Sequence, residues 1–171
     1  DWETLRREAS EEDVGVVKDG LQFYYQGVAA LNLGERDEGI DAMMKLVEHP
    51  RAEAAGLAGA AGLLFEADAW GESEAALRAL LRHRPDEATV HHLLAMSLSR
   101  LHRESEALAH YRQASALQKK NADLAFDLMS SLCELDLIEE LEDRLRRAQR
   151  DFDEDPRFPS LASQCLPAED G

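Results

Sequence analysis

The chain has 171 residues and a formal charge of −16, because 35 acidic side chains face only 19 basic ones. Its 26 Ala and 26 Leu outweigh 6 Val, 2 Ile and 2 Thr, which argues against β-sheet folds because strands favour β-branched residues. The acidity argues against nucleic acid and anionic membranes as ligands, since both require a basic surface. Apolar residues make up 44% of the chain, which is enough for a buried core.

The chain is predicted to begin with a helix within residues 1–19, where Trp2, Leu5 and Ala9 have helical spacing. Internal repetition follows. The sequence Glu-Ser-Glu-Ala of residues 72–75 returns 32 residues later at 104–107. That match aligns four positions at spacings of 36, 32 and 34 residues: Gly39, Ala75, Ala107 and Leu141. A period of about 34 residues indicates four helix–turn–helix repeats, predicted at 20–50, 51–85, 86–121 and 122–153.

Each repeat consists of two apolar periodic segments around a turn, and Pro50 and Pro85 fall between repeats. In the second repeat we predict a helix over 51–66 and a turn around Trp70-Gly71. The third repeat is predicted to begin at Asp86, which is a good N-cap residue. In the fourth, Asp136 replaces the turn glycine Gly34, since Asp tolerates a left-handed backbone.

The chain ends in a Pro-containing acidic tail, residues 154–171. It follows an acidic run at 151–155, and Pro156, Pro159 and Pro167 exclude a long helix. Phe158 and Leu161 still offer apolar anchors. The tail either covers the last repeat, as the end of a solenoid requires, or is a mobile terminus.

These repeats resemble the tetratricopeptide repeat (TPR) family over residues 20–153. The first repeat matches through Phe23, Gly27, Ala30, Gly34, Gly39, Met43 and Pro50. The third matches through Leu94, Ala95, Leu98, Ala107, Tyr111 and Ala114. The resemblance implies an all-α, right-handed superhelical solenoid of about four helix–turn–helix repeats. Small Gly27, Ala95 and Ala107 would let paired helices approach, while larger Met43, Leu98 and Tyr111 would fill the space between repeats.

The resemblance also implies a concave face, lined by the first helix of each repeat, that binds an extended or helical segment of another protein. By register, the expected partner-binding residues are Tyr24, Val28, Asn32, Ala60, Leu64, Asp68, His92, Met96, Arg100, Phe126 and Ser130. Some family members hold a C-terminal carboxylate with Lys and Asn on these helices. Their places are taken here by Tyr24, Val28, Thr89 and Leu93, so that clamp is not expected. The groove is expected to be largely apolar and adaptable, with Met96 as its flexible side chain.

We predict no catalytic residue, metal site or cofactor. The six histidines form no HExxH motif and no i,i+4 histidine pair. His102 with Glu106, and Glu106 with His110, have the spacing of ordinary helix-surface pairs. Gly56, Gly59 and Gly62 lie within a predicted helix and follow no strand, so close helix packing is favoured over phosphate binding.

The two cysteines, Cys133 and Cys165, lack metal-ligand spacing, and reduced, unlinked thiols are expected, although one disulfide is possible. No apolar run reaches the roughly 20 residues that span a bilayer. The chain starts at Asp1, so we expect a processed protein or an excised fragment. A cytoplasmic location is expected, with the periplasm or a larger processed protein as alternatives.

The sequence therefore predicts a non-enzymatic module that binds a protein or peptide. By family analogy it would serve as a scaffold or chaperone-like adaptor in a bacterial assembly. The alternative is a self-associating structural subunit, and an enzyme or ligand-binding domain is the least favoured reading. Residues 84–120 hold six basic and four acidic side chains, so this window is positive within an acidic chain. It is either a chance cluster or a patch that favours an acidic partner segment.

Overall fold

A computed structural model of the chain describes residues 1–10 and 20–166. The described residues form no strand, and their helices in chain order are α1 (Trp2–Ser10), α2 (Leu21–Leu33), α3 (Arg36–Val47), α4 (Ala54–Glu66), α5 (Trp70–Leu81), α6 (Ala88–Arg100), α7 (Glu104–Leu117), α8 (Ala122–Glu134), α9 (Ile138–Asp151) and α10 (Arg157–Cys165). The all-α prediction is confirmed. Residues 11–19 of the predicted N-terminal helix, the side chain of Ala9 and tail residues 167–171 with Pro167 lie outside the described part.

The chain divides into two compact halves, residues 1–86 with α1–α5 and residues 87–171 with α6–α10. Within the N-terminal half, α1 packs on α2, and the pairs α2–α3 and α4–α5 form two helix–turn–helix repeats. Within the C-terminal half, α6–α7 and α8–α9 form two more, and α10 packs on α8 and α9.

The turn inside every repeat is built around one residue with a left-handed backbone, and these residues recur every 34 positions. They are Gly34, Asp68, His102 and Asp136, with φ of 83°, 56°, 56° and 55°. At the first turn, the Gly34 amide donates to the Leu31 carbonyl and the next amide donates to the Ala30 carbonyl, and the other three turns repeat this pair of bonds. This is the Schellman arrangement, which satisfies carbonyls left open at a helix end. The prediction for Asp136 is confirmed.

The regular period shows that the alignment through Ala75 is wrong by two residues. The second helices begin at Arg36, Trp70, Glu104 and Ile138, each 34 residues after the last. The equivalent of Gly39 is therefore Ser73. The Glu-Ser-Glu-Ala sequence occupies the third to sixth positions of α5 but the first to fourth of α7, so matching letters there are not matching sites.

Three local predictions about helix ends are also wrong. Trp70 and Gly71 begin α5, and the turn lies at residues 67–69. The first helix of the second repeat begins at Ala54 rather than at residue 51. The N-cap of α6 is Glu87, whose side chain makes no capping bond, rather than Asp86.

Small residues let the paired helices of the N-terminal half lie close together. A Cβ atom on Gly27 would lie 2.7 Å from Met43 Cε, and one on Gly39 would lie 2.6 Å from Leu31 Cγ. In the second repeat the position of Gly39 is held by buried Ser73, whose hydroxyl donates to the Ala61 carbonyl at 3.0 Å. A larger side chain at these positions would separate the two helices.

The C-terminal half uses the same positions with larger side chains in its last repeat. Ala95 and Ala107 are fully buried in the third repeat, and Leu98 and Tyr111 fill the space beside them. Burial raises the pKa of the Tyr111 phenol. In the fourth repeat the equivalents of Ala95 and Ala107 are Met129 and Leu141, both buried. The predicted division into small and large packing positions is confirmed for the residues named from the third repeat.

The tail contains a helix that is anchored to the preceding repeat. Phe158 of α10 is fully buried, and its ring stacks on Phe152 with centroids 5.4 Å apart. Cys133, near the end of α8, is disulfide-bonded to Cys165, the last residue of α10, so the expectation of unlinked thiols is wrong. Their separation of 32 residues is close to the repeat period, which brings the same end of successive first helices together.

None of the helices among the described residues has both the length and the apolar character needed to cross a bilayer.

The three glycines of α4 do not share one role. A Cβ on Gly59 would lie 2.6 Å from Tyr24 Cε2, whereas a Cβ on Gly62 would meet nothing within 4 Å. One on Gly56 would make an ordinary contact, 3.4 Å from Leu46 Cδ2. The predicted close packing therefore holds at Gly59 and is wrong for Gly62.

Alanine at these two glycines should change stability in opposite directions. Gly62→Ala should raise the free energy of unfolding by about 0.5–1 kcal/mol, because alanine restricts the unfolded chain and favours the helix. Gly59→Ala has the same helix preference but must displace the Tyr24 ring, so it should lower stability, by roughly 1 kcal/mol or more relative to Gly62→Ala. Urea unfolding followed by circular dichroism measures both. Equal stabilisation by the two substitutions would contradict the packing of Tyr24 on Gly59.

Breaking the disulfide should destabilise the C-terminal half. A closed loop of this length stabilises a fold by about 2–4 kcal/mol, so dithiothreitol should lower the urea midpoint of the wild-type chain. The double substitution Cys133→Ser with Cys165→Ser should give the same lower midpoint and no response to dithiothreitol. Two reactive thiols in the oxidised, unfolded wild-type chain would show that the bond does not form.

Candidate functional site

The first helix of each repeat carries a row of side chains at positions four residues apart, which we call the first-helix face. On α2 the row is Tyr24, Val28 and Asn32, of which the first two are half-buried and the third is exposed. The period of 34 makes the corresponding row on α4 Ala58, Gly62 and Glu66.

The residues predicted from the second repeat do not lie on this face. Ala60 and Leu64 are completely buried in the core, and Asp68 is the left-handed residue of the turn. Their selection is therefore wrong, and the cause is the same two-residue displacement that misaligned Ala75. Gly62, not Leu64, takes the central position, so this part of the face is flat and carries little side chain.

In the N-terminal half, the first-helix face of α2 is aromatic. The Tyr24 ring lies against Gly59 of α4 and meets Tyr25 edge-on at 5.7 Å between centroids. Tyr25, which was not predicted, is 42% exposed. Asn32 folds back on its own helix, because its Nδ2 donates to the Val28 carbonyl at 2.8 Å.

In the C-terminal half, the row on α6 is His92, Met96 and Arg100. His92 Nε2 lies 2.6 Å from Asp127 Oδ2 on α8, and its ring lies 6.0 Å from that of Tyr111. Met96 is half-buried one turn further along, and Arg100 is exposed. Asp127 is a member of the site that sequence reasoning missed. It follows Phe126 directly, and only the packing of α8 beside α6 turns it toward His92.

The row on α8 consists of Phe126 and Ser130, and α10 covers part of it. The Phe126 ring meets Phe158 edge-on at 6.2 Å, and the Arg157 guanidinium lies over it at 5.2 Å from the ring centroid. Ser130 is half-buried one turn further along α8. Phe126 is therefore packed against the tail helix on one side, which leaves less of it for a partner than the register predicts.

Two carboxylates hold Arg157 in place over Phe126. Its guanidinium pairs with Asp155 at 2.6 Å and with Asp123 at 2.8 Å. The hydrogen bond from Arg157 lowers the pKa of Asp155, and both carboxylates raise the pKa of Arg157. These pairs attach the start of α10 to α8 at the opposite end from the disulfide.

The histidines make pairs rather than a larger cluster. The rings of His91 and His110 stack, with their Nδ1 atoms 3.0 Å apart. Glu106, expected to pair with His102 and His110, instead forms two hydrogen bonds with Arg103. Across residues 1–10 and 20–166, no three His, Cys, Asp or Glu side chains converge on one point.

Antiparallel helix pairs of 34 residues, joined by Schellman turns and closed by small residues at the crossing, define the TPR fold. Comparison with solved structures shows this fold directly. MamA AMB-1 superposes with a TM-score of 0.68 at 14% identity, over 97% of this chain and 88% of that one. MamA from Desulfovibrio magneticus RS-1 gives 0.62 at 15% identity over 97% and 88%.

A third solved structure, YrrB, is described as a TPR protein with an unusual peptide-binding site. It superposes with a TM-score of 0.66 at 15% identity over 96% of this chain and 85% of that one. No family model and no curated protein matches the sequence. The chain therefore has the TPR fold, and the likeness to these structures concerns the fold alone. The superhelical handedness and the concave groove stay predictions.

Removing Arg157 should raise the pKa of Asp155 toward its ordinary value of 3.8, because the main cause of its lowering is the hydrogen bond from Arg157. In the wild type this carboxylate should protonate at a lower pH than in Arg157→Ala. Carbon-detected NMR titration of the Asp155 carboxyl group measures the difference. Arg150→Ala, at an exposed position of α9, is the control and should leave the titration unchanged. An unchanged titration in Arg157→Ala would contradict the contact.

Proposed function

We propose that this protein is a non-enzymatic interaction module that binds a peptide or helical segment of a partner protein, as a scaffold or adaptor. The observation that carries the proposal is the row His92, Met96 and Arg100 on α6, beside Asp127 of α8, on the helices that the TPR fold leaves available to ligands. The peptide-binding site named for YrrB, which shares this fold, supports the same class of ligand.

The side chains of this row are suited to holding a peptide. Met96 is flexible and polarizable, so it can adapt to an apolar side chain of the partner. Arg100 can bind a carboxylate or a backbone carbonyl. The His92–Asp127 pair fixes one polar group beside them, which restricts the direction in which a peptide can lie.

We further propose that the protein works in an oxidising compartment, such as the periplasm, rather than in the cytoplasm. The disulfide between Cys133 and Cys165 supports this proposal, because such bonds persist in oxidising compartments and are rare in the cytosol.

The binding proposal is tested by selecting peptides from a displayed library on the oxidised protein and measuring their affinities by calorimetry. Met96→Glu and Ser130→Glu place a charge on the first-helix face and should weaken the selected peptides about tenfold or more. Ser105→Glu makes the same chemical change on exposed α7 and should alter affinity by less than about twofold.

Equal affinities in all three variants would overturn the first-helix face as the binding site. Failure to select any peptide, together with a concentration-dependent dimer in analytical ultracentrifugation, would favour the self-associating subunit instead.

A further inference from the structure

The C-terminal half carries a second concave surface, which the first-helix face does not include. It is a groove of about 280 Å³ between α7, α8 and α9, which we call the basic groove. Four of the side chains that line it are basic, namely Arg112, Lys119, Arg144 and Arg147, and one is acidic, Asp151.

A single carboxylate fixes two of these arginines at the edge of the groove. Glu140 accepts hydrogen bonds from Arg112 of α7 and from Arg144, whose Nε lies 2.9 Å from Glu140 Oε1. The Arg112 hydrogen bond lowers the pKa of Glu140, so it is ionised at neutral pH. One negative charge cannot neutralise two guanidinium groups, and each retains N–H groups for another acceptor.

The other two basic side chains have different partners. Arg147 pairs with Asp143 at 2.6 Å along the exposed side of α9. Lys119 lies in the loop between α7 and α8 and forms no ion pair with a described residue. Even when Glu140, Asp143 and Asp151 are all counted against the four cations, the groove remains positive on a molecule whose formal charge is −16.

The floor of the groove is apolar. Leu128 and Met129 of α8 are 1% and 2% exposed, and the Phe152 ring closes one end. Ala125 and Ala148 are small and leave the space between the helices open. A polar or inorganic ion would leave this floor wet, whereas a large apolar side chain would cover it.

We propose that the basic groove is a second docking site, and that its ligand is an acidic peptide segment with one large apolar residue flanked by carboxylates. The apolar side chain lies on Leu128 and Met129, and the carboxylates contact Lys119, Arg144 and Arg147. An extended polyanion such as nucleic acid fits less well, because the surrounding surface is acidic and Asp151 and Asp143 stand at the margin. The site is independent of the first-helix face, since it uses other residues of α8.

Two adjacent arginines of α9 provide a matched test. Arg147 lines the groove, whereas exposed Arg146 does not, and its Nε donates to the Glu142 carbonyl at 3.3 Å. The probe is a fluorescein-labelled synthetic peptide of about 12 residues, rich in Asp and Glu around a central Phe, measured by fluorescence anisotropy in about 50 mM salt. Arg147→Glu should weaken binding about tenfold or more, and Arg146→Glu less than about twofold. Replacing the central Phe of the peptide by Ser should weaken binding about fivefold.

Three results would overturn the proposal. Equal weakening by Arg147→Glu and Arg146→Glu would show general electrostatic attraction. Loss of binding in Met96→Glu but not in Arg147→Glu would place the acidic peptide on the first-helix face. Full competition by inorganic phosphate or a single-stranded oligonucleotide would identify a simple anion site. Because Lys119→Glu changes an unpaired side chain in a loop, it should reproduce the Arg147→Glu effect with an unchanged circular dichroism spectrum.

Discussion

One backbone constraint organises this molecule: a single left-handed residue reverses the chain between the two helices of each repeat. The amide of that residue and the next one bond to carbonyls at the end of the preceding helix, so the reversal leaves fewer backbone groups unsatisfied. Gly34 takes the conformation freely, whereas Asp68, His102 and Asp136 take it because the packed helices on both sides hold them there. The interval of 34 residues between them sets the register of every other side chain.

That register separates two surfaces of different chemistry in the C-terminal half. The first helices present His92 and Met96 beside Asp127, whereas the second helices, with α8 beneath them, form the basic groove. The disulfide, the Arg157 pairs and the Phe152–Phe158 stack hold α10 on α8 and α9. Because α10 covers part of Phe126, the tail defines one limit of the first-helix face as well as closing the hydrophobic core.

The fold was more predictable than the site because helix packing repeats, whereas side-chain exposure depends on register to one residue. Small Gly27, Ala95 and Ala107 and large Tyr111 could be assigned from their types, since only small residues permit close helix contact. Leu64 and Asp68 could not, because an identical Glu-Ser-Glu-Ala sequence lies two places apart in two helices, and a two-residue shift rotates a helix by about 200°. Turn residues 34 apart would have corrected it, but Asp68 and His102 are not glycine and gave no obvious signal.

The sequence by itself determined the helical class, the repeat architecture and the general kind of ligand, because composition, periodicity and turn residues are local properties. Only the tertiary structure decided which side chains are exposed, that Cys133 meets Cys165, and that Asp127 faces His92. The same is true of the basic groove, whose cations come from three segments of an acidic chain. Charges distant in sequence act together only after packing has brought their helices side by side, and net charge does not record that arrangement.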